Sequence, residues 1–353
     1  MTYSVYQHWD PLKAMAVGSS YPPEFYDYIK NEKVRNVFYK IAEETEEDYQ
    51  KLSTLLQSFN VDVFRMPMDH LIEKGKQSIS EGTRIQAPIT MVPRDYSVTV
   101  GDTFYCTTDE AYKPLMEHVA NTGTNTKSTN EYGTGYKWQN IDLYINGAQL
   151  TRIGKDLYIG SLEKIPDEQR DAVTIMQNNL RAKFPDYRLS FVDSQGHTDA
   201  TFCPASPGLI LSIESPINYT ETFPSWEVVY LPNESWHKIG EWHQLKAKNR
   251  GKWWVPGQEL NQDFTDYVET WMNHWVGYVE ESVFDVNMIV IDRNNVVVNG
   301  YNQQVFDALS KRGITPHICN FRHRYFWDGG LHCVTSDLNR GGIMTDWFPE
   351  RNQ

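Results

Sequence analysis

The sequence is poor in cysteine and in positive charge. Four cysteines in 353 residues are too few for a disulfide framework. The 33 Lys and Arg residues are outnumbered by 46 Asp and Glu residues, which gives a formal net charge of -13. We do not expect so acidic a chain to take nucleic acid or an anionic membrane as its main partner.

Long apolar runs are absent as well. Nowhere do about 18 uncharged apolar residues follow one another, so no membrane span is predicted. The amino terminus has no basic segment followed by an apolar run, and we therefore expect no secretory signal. The cytoplasm is the expected location.

The sequence does contain the material for a large core. Hydrophobic residues make up 40% of the chain and aromatic residues 13%, which excludes an intrinsically disordered protein. The length alone suggests about two domains, yet no linker divides the sequence. Two stretches are irregular. Asn121–Asn140, rich in Thr, Asn and Gly, predicts a long surface loop, and Pro216–Gly257, which contains five Trp, predicts an irregular insertion.

Helical and extended patterns alternate along the chain. Ala42–Phe59 carries leucines at spacings of three and four, which predicts a helix. The clearest unit is Met288–Cys319, where two strands joined by a tight turn are followed by a helix at Gln303–Arg312 and a third strand. Similar fragments at Ser97–Thr107 and Asp156–Val192 predict an α/β protein built from related β-β-α-β modules.

A cysteine near the carboxyl terminus is a candidate nucleophile. Cys333 follows the glycine pair Gly329 and Gly330 in a segment too polar for a plain core strand, although a lone cysteine is more often a small buried hydrophobe. A nucleophilic cysteine needs a histidine partner brought close by the fold. The four cysteines have no zinc-type spacing, so neither a metal nor a cofactor is expected.

His197 is the best candidate for that partner. Asp199 lies two residues on, and in an extended strand both side chains would point to the same side. A histidine paired with a carboxylate can transfer protons near neutral pH, but a purely structural pair fits the spacing equally well. Asp95, in the segment Pro93–Asp95, reads on its own as half of an Arg–Asp surface pair or as part of a turn.

Together these segments resemble the amidinotransferase family of guanidino-group-modifying enzymes, which includes glycine and inosamine-phosphate amidinotransferases. The likeness extends over nearly the whole chain. Its most specific parts are a His-x-Asp-Ala-Thr-Phe segment and a later Gly-Gly-x-His-Cys-x-Thr segment. The matching stretches are Trp9–Leu12, Ala16–Gly18, Pro93–Asp95, Arg152–Asp156, His197–Phe202 and Gly329–Thr335.

The resemblance implies a fold and a set of roles. Family members are α/β-propellers (penteins), in which five β-β-α-β units surround a central active-site channel, here one domain over residues 1–353. Cys333 would attack the guanidino carbon of a donor, usually arginine, and form an amidino-cysteine intermediate. His197 would protonate the departing amine, ornithine if arginine is the donor, and then take a proton from the incoming amine. Asp95 and Asp199 would hold the guanidinium. Family members are often homodimers, so a dimer is a further expectation.

The chain departs from the family pattern beside the histidine. Members usually carry a third acidic residue that hydrogen-bonds the histidine, and alignment on Arg152 and Gly154 places Asn146 there. An asparagine can accept a hydrogen bond and orient His197, but it cannot offset the charge of an imidazolium. A shifted alignment would give this role to Asp142.

A second departure concerns the donor. Glycine amidinotransferases hold the α-carboxylate of arginine partly with an arginine after the His-x-Asp strand, but the matching stretch here, Ser212–Pro216, has no basic residue. Arg322 or Arg324 could substitute, or the substrate could lack that carboxylate. Two other functions stay open: a hydrolase of the same fold, in which water resolves the intermediate, and a non-catalytic guanidine-binding protein.

Overall fold

The computed structural model of the chain describes residues 2–80, 88–129, 133–138, 141–161, 170–194, 197–213, 218–231, 255–258, 260–272 and 283–351. Over these residues the backbone forms short strands, helices and 3₁₀ turns. None of the described helices is long and apolar enough to cross a lipid bilayer.

The described strands are short and pair into small sheets. In chain order they are β1 (Leu12–Val17), β2 (Asp62–Arg65), β3 (Ser97–Val100), β4 (Thr103–Cys106), β5 (Asn125–Ser128), β6 (Gly133–Trp138), β7 (Ile141–Tyr144), β8 (Leu150–Ile153), β9 (Asp156–Ser161), β10 (Arg188–Asp193), β11 (Phe202–Ser206), β12 (Leu209–Ile213), β13 (Glu227–Leu231), β14 (Ile289–Val290), β15 (Asn295–Val298), β16 (Thr315–Ile318) and β17 (Thr335–Arg340).

Five three-stranded sheets in this part of the chain share one topology. Their strand orders are β17-β1-β2, β3-β4-β5, β8-β9-β10, β11-β12-β13 and β14-β15-β16, while β6 and β7 form a hairpin. In each sheet the first two strands are antiparallel and the last two are parallel. Parallel neighbours require a crossover, and here a helix supplies it. The predicted α/β class is confirmed, and the β-β-α-β unit recurs.

Some of the described helices connect the parallel strands of these sheets. The described helices are α1 (Glu32–Ser58), α2 (Asp69–Ser80), α3 (Lys113–Ala120), α4 (Arg170–Lys183), α5 (Tyr219–Thr222), α6 (Gln262–Trp271), α7 (Val283–Val286), α8 (Gln303–Lys311) and α9 (Arg324–Trp327). α1 is the longest. It begins at Asn31, whose side chain accepts hydrogen bonds from the backbone amides of Lys33 and Val34. Its apolar face, which includes Leu52 and Leu56, is buried.

The elements predicted from the clearest apolar periodicities are confirmed. The helix predicted over Ala42–Phe59 is the carboxyl-terminal part of α1, and the unit predicted over Met288–Cys319 is the sheet of β14, β15 and β16 with α8 as its crossover.

Both stretches predicted as irregular contain strands. Asn121–Asn140 includes β5 and β6, so the prediction of a long loop is wrong. β5 is a half-exposed edge strand, and its polar side chains show no apolar alternation because backbone pairing with β4 holds it in place. The stretch Pro216–Gly257 includes β13, the third strand of its sheet. The ring of Trp226 packs against the buried Trp9 in a tilted arrangement, with ring centres 5.6 Å apart. The other four Trp of the stretch lie outside the described residues.

A buried ion cluster joins segments far apart in the sequence. Asp337 in β17 accepts a hydrogen bond from Arg94 at 3.0 Å and two from Arg152 in β8 at 2.7 and 2.9 Å. Nε of Arg340 completes the cluster at 2.9 Å. The four side chains are at most 3% exposed. These arginines hold the pKa of Asp337 well below its usual range, even though burial alone would raise it.

Replacing Asp337 by Asn should destabilise the fold. The substitution leaves three buried guanidinium groups without their shared counter-charge, and breaking a buried pair in this way costs about 3–5 kcal/mol. We expect the urea midpoint of Asp337→Asn to fall accordingly, whereas Asp307→Asn, on the exposed face of α8, should keep the wild-type midpoint. Equal midpoints for the two variants would contradict this account of the cluster.

Candidate active site

The segment Gly329–Thr335 links α9 to β17 and carries Cys333; we call it the nucleophile loop. Arg94 fixes its backbone, because Nε of Arg94 donates to the carbonyl oxygens of His332 at 2.7 Å and Thr335 at 2.9 Å. The hydroxyl of Thr335 donates back to the carbonyl of Leu331 at 2.9 Å. The arginine that sequence analysis read as half of a surface pair is therefore a buried support of this loop.

Asn287, which sequence analysis did not single out, holds the nucleophile itself. Its Oδ1 accepts from the backbone amides of His332 at 2.9 Å and Cys333 at 3.2 Å, and its Nδ2 lies 3.1 Å from Sγ of Cys333. A Cβ on Gly330 would lie 2.6 Å from Oδ1 of Asn287, so this close approach requires glycine. The only sequence signal was a polar residue next to the apolar strand β14.

Asp199 lies on the other side of the sulfur. Its Oδ2 is 3.8 Å from Sγ of Cys333 and 2.8 Å from Nδ1 of His332. Burial, followed by the charge of Arg94, lowers the pKa of His332 to about 4, so this imidazole is neutral and donates its Nδ1 proton to the carboxylate. Burial would raise the pKa of Asp199, but the hydrogen bond from His332 together with the positive charges around it outweighs burial, and the pKa is lowered.

Asp95 presents a second carboxylate. It ends the 3₁₀ turn Pro93–Asp95, whose position is set by the buried Arg94. Burial raises the pKa of Asp95 to about 6, with a lowering contribution from His197 and a raising one from Asp199. Among the described residues, Oδ1 of Asp95 and Oδ1 of Asp199 are buried without a hydrogen-bond partner. Buried unpaired carboxylate oxygens are costly, and a planar cation with several N–H donors would satisfy both.

His197 is close enough for its charge to act on both carboxylates. It is extended and half-buried, but Thr198–Ala200 form a 3₁₀ turn and β11 starts only at Phe202. The prediction that His197 and Asp199 lie on one extended strand is therefore wrong, because the chain turns at this point. The turn nevertheless brings His197 and Asp199 to the same group of side chains as Asp95 and Cys333.

Asn146 does not make the contact that was predicted for it. Its Oδ1 accepts from the backbone amides of Ala148 at 3.0 Å and Gln149 at 2.9 Å, as an asparagine at a turn commonly does. No hydrogen bond among the described residues joins it to His197. Asp142, the alternative, lies in β7, and its side chain falls outside the described residues.

The two arginines considered for donor recognition both have hydrogen-bond partners outside this group of side chains. Arg322 bonds to Asp48 and Glu47 on α1 at 2.8–3.0 Å. Arg324 donates to Oδ1 of Asn320 at 2.9 Å. Arg322 is thus engaged by α1, whereas the suggestion that Arg324 takes the place of the missing arginine stays a prediction.

The environment of Cys333 favours the thiol over the thiolate. Burial, followed by the charges of Asp199 and Asp95, raises the pKa of Cys333 well above its usual range, against smaller lowering contributions from the backbone of Gly330 and from Asn287. A cation bound between the two carboxylates would offset their charge and make the sulfur easier to ionise. The site is thus suited to hold a cation and attack it.

Removing one of these charges should make the sulfur of the free protein more reactive. Asp95→Asn is nearly isosteric, and because Asp95 raises the pKa of Cys333, we expect Cys333 in the variant to react about three- to tenfold faster with iodoacetamide at pH 8. Peptide mass analysis would separate this thiol from the buried Cys106, Cys203 and Cys319. Asp307→Asn should leave the rate unchanged, and a slower reaction in Asp95→Asn would contradict the electrostatic assignment.

Comparison with known proteins finds amidinotransferases. No protein-family model matches the sequence. The L-arginine:L-lysine amidinotransferase of Pseudomonas savastanoi pv. phaseolicola is 24% identical over 205 residues, which cover 58% of this chain and 46% of that protein. The chain thus spans less than half the length of this relative. The mitochondrial glycine amidinotransferase of Xenopus laevis is 23% identical, over 97% of this chain and 84% of that protein.

Two solved structures have a similar fold. An amidinotransferase of saxitoxin biosynthesis from Microseira wollei superimposes with a TM-score of 0.64 at 17% identity, covering 98% of this chain and 99% of that one. The inosamine-phosphate amidinotransferase of Streptomyces griseus gives a TM-score of 0.63 at 19% identity over the same shares of both chains. Sequence relatives and structural neighbours agree, and the resemblance of this chain to the amidinotransferase family is thereby confirmed.

Proposed function

We propose that this protein is an amidinotransferase, which moves the amidino group of a guanidine donor to an amine acceptor through an amidino-cysteine intermediate on Cys333. The observation that carries the proposal is the pair of buried carboxylate oxygens, on Asp95 and Asp199, that have no hydrogen-bond partner among the described residues. A guanidinium is the planar, multiply donating cation that such a pair would bind.

The first half of the reaction would transfer the amidino group to sulfur. Guanidinium binding offsets the charges of Asp95 and Asp199, and Cys333 can then give its proton to His197. The thiolate attacks the guanidino carbon and forms a C–S bond, the C–N bond to the departing amine breaks, and His197 returns the proton to that amine. Fixed positioning of the carbon against the sulfur supplies part of the rate enhancement.

The second half would reverse these proton movements with a different amine. A neutral acceptor attacks the amidino carbon, His197 takes the proton released by the new C–N bond, and the C–S bond breaks. Cys333 regains its proton from His197, so one protein group serves as base and then as acid. Asn287 would stabilise the departing sulfur through the Nδ2 contact at 3.1 Å.

We further propose L-arginine as the donor and ornithine as the first product. The name of the Pseudomonas relative specifies an arginine donor, and both carboxylates suit its side chain. In the same proposal the five sheets close around a central channel as one α/β-propeller domain over residues 1–353. Cytoplasmic location and a homodimer stay predictions.

One assay tests this function. The protein is incubated with arginine and, separately, glycine, lysine, ornithine, γ-aminobutyrate and diamines, and products are followed by mass. We expect ornithine together with a guanidinylated amine, and after brief exposure to arginine alone an intact-protein mass raised by one amidino group. Citrulline would indicate a hydrolase, and no product a binding protein.

The nucleophile assignment has its own control. Cys333→Ala should abolish both turnover and the mass increase, whereas Cys319→Ala, a change at a buried cysteine of a different segment, should retain both. Turnover that survives Cys333→Ala would overturn the mechanism.

A further inference from the structure

The two oxygens of the Asp199 carboxylate have different surroundings. Oδ2 accepts a hydrogen bond from Nδ1 of His332 at 2.8 Å, and Nδ2 of Asn287 lies 3.3 Å from the same oxygen. Oδ1 is buried and has no hydrogen-bond partner among the described residues. Supporting hydrogen bonds of this kind fix the orientation of a binding group. The carboxylate is therefore held through Oδ2, and Oδ1 is the oxygen left for a bound cation.

His332 is itself fixed at its backbone and at its ring. Its amide donates to Oδ1 of Asn287 at 2.9 Å, and its carbonyl oxygen accepts from Nε of Arg94 at 2.7 Å. The buried ring lies beside the buried ring of His8, with ring centres 5.9 Å apart. Because the backbone is bonded on both sides and the ring is enclosed, the imidazole has little freedom to turn away from Asp199.

The imidazole bonds Asp199 without cancelling the charge of the carboxylate. Burial, followed by the charge of Arg94, lowers the pKa of His332 to about 4, so the ring is neutral near pH 7. A neutral imidazole carries one proton, which must be on Nδ1 for the ring to donate to Asp199. A lysine or arginine in this place would bring a positive charge that repels a guanidinium. A neutral donor leaves the full negative charge of Asp199 for the ligand.

We propose that His332 is a positioning residue for Asp199, whose neutral imidazole fixes the carboxylate through Oδ2 and leaves Oδ1 to bind the guanidinium. The inference rests on the proposed function, in which Asp199 holds the donor. Asp199 also lies beside the sulfur, with Oδ2 3.8 Å from Sγ of Cys333, so turning the carboxylate would displace a bound guanidinium relative to the nucleophile. The histidine of the Gly-Gly-x-His-Cys-x-Thr segment, which the sequence alone left without a role, thereby acquires one.

Two substitutions separate the hydrogen bond from the bulk of the ring. His332→Asn places an amide N–H close to the position of Nδ1–H, whereas His332→Leu keeps an apolar side chain without a donor. Both are made in Cys333→Ala, which cannot react, and the affinity for L-arginine is measured by calorimetry. Because hydrogen bonds to charged groups are the stronger ones, we expect His332→Leu to weaken arginine binding by at least about tenfold and His332→Asn to retain it within about threefold. His317→Leu, at a half-buried position of β16, should leave the affinity unchanged.

A second readout needs neither turnover nor arginine. Nitrogen NMR spectra of protein labelled in its histidine side chains distinguish a proton on Nδ1 from a proton on Nε2, and His332→Asn identifies the signals of His332 by their disappearance. In the wild type near neutral pH we expect a neutral His332 that carries its proton on Nδ1. In Asp199→Ala, where the acceptor is removed, we expect a mixture of the two tautomers, because the other ring partner no longer selects one.

Several results would overturn the inference. Unchanged arginine affinity in His332→Leu would do so, as would an equal loss of affinity in His332→Leu and His332→Asn, which would indicate ring packing and not the hydrogen bond. A wild-type His332 that is charged, or that carries its proton on Nε2, would overturn it independently. If Cys333→Ala binds no arginine, the proposed donor fails, and the NMR spectra still decide whether His332 holds Asp199.

Discussion

The geometry of the site depends on one buried carboxylate shared by three arginines. Asp337 binds Arg94, Arg152 and Arg340 within 3.0 Å, and Arg340 also donates to the carbonyl of Val290 at 2.8 Å. The cluster therefore connects β17 to segments of three other sheets. Because Arg94 also holds the nucleophile loop and immediately precedes Asp95, the same ion cluster positions the sulfur relative to a carboxylate proposed to bind the guanidinium. Because burying these four charges has a high desolvation cost, the cluster positions the segments it joins more than it adds net stability.

The reactive groups come from the ends of different modules. Asp95 precedes β3, His197 and Asp199 precede β11, Asn287 precedes β14 and Cys333 precedes β17. In each case the segment enters the first strand of a sheet, so the repeated module places one polar segment at an equivalent point. The chemistry is thus assembled from positions that the topology repeats, and each sheet needs to supply only one or two side chains. Hydrogen bonds from supporting side chains, such as Asn287 and Arg94, then fix the orientation of the nucleophile loop.

The elements and site residues that were predicted correctly from the sequence are those that an apolar periodicity or a motif determines. Apolar spacing identified α1 and the unit from β14 to β16, and the motif segments identified four side chains that do meet. Prediction from the sequence failed where contacts between distant segments determine the local structure. β5 lacks a strand pattern because its backbone pairing with β4, and not a buried face, defines it. β13 does carry β-branched residues and a buried Leu231, but it lies inside the Trp-rich stretch that was read as irregular. Asn287 had no motif, and Asn146 was placed by alignment although its oxygen caps a turn.

The two carboxylates beside Cys333, each with one unpaired oxygen among the described residues, have a consequence for the free protein. Sulfenic acid formation and alkylation proceed through the thiolate. Burial, followed by the charges of Asp199 and Asp95, raises the pKa of Cys333 and so favours its thiol. The sulfur of the free protein is therefore expected to react slowly with peroxide and with alkylating electrophiles. Under the proposed function, a bound guanidinium offsets these charges, so oxidative damage to this sulfur should rise with substrate occupancy.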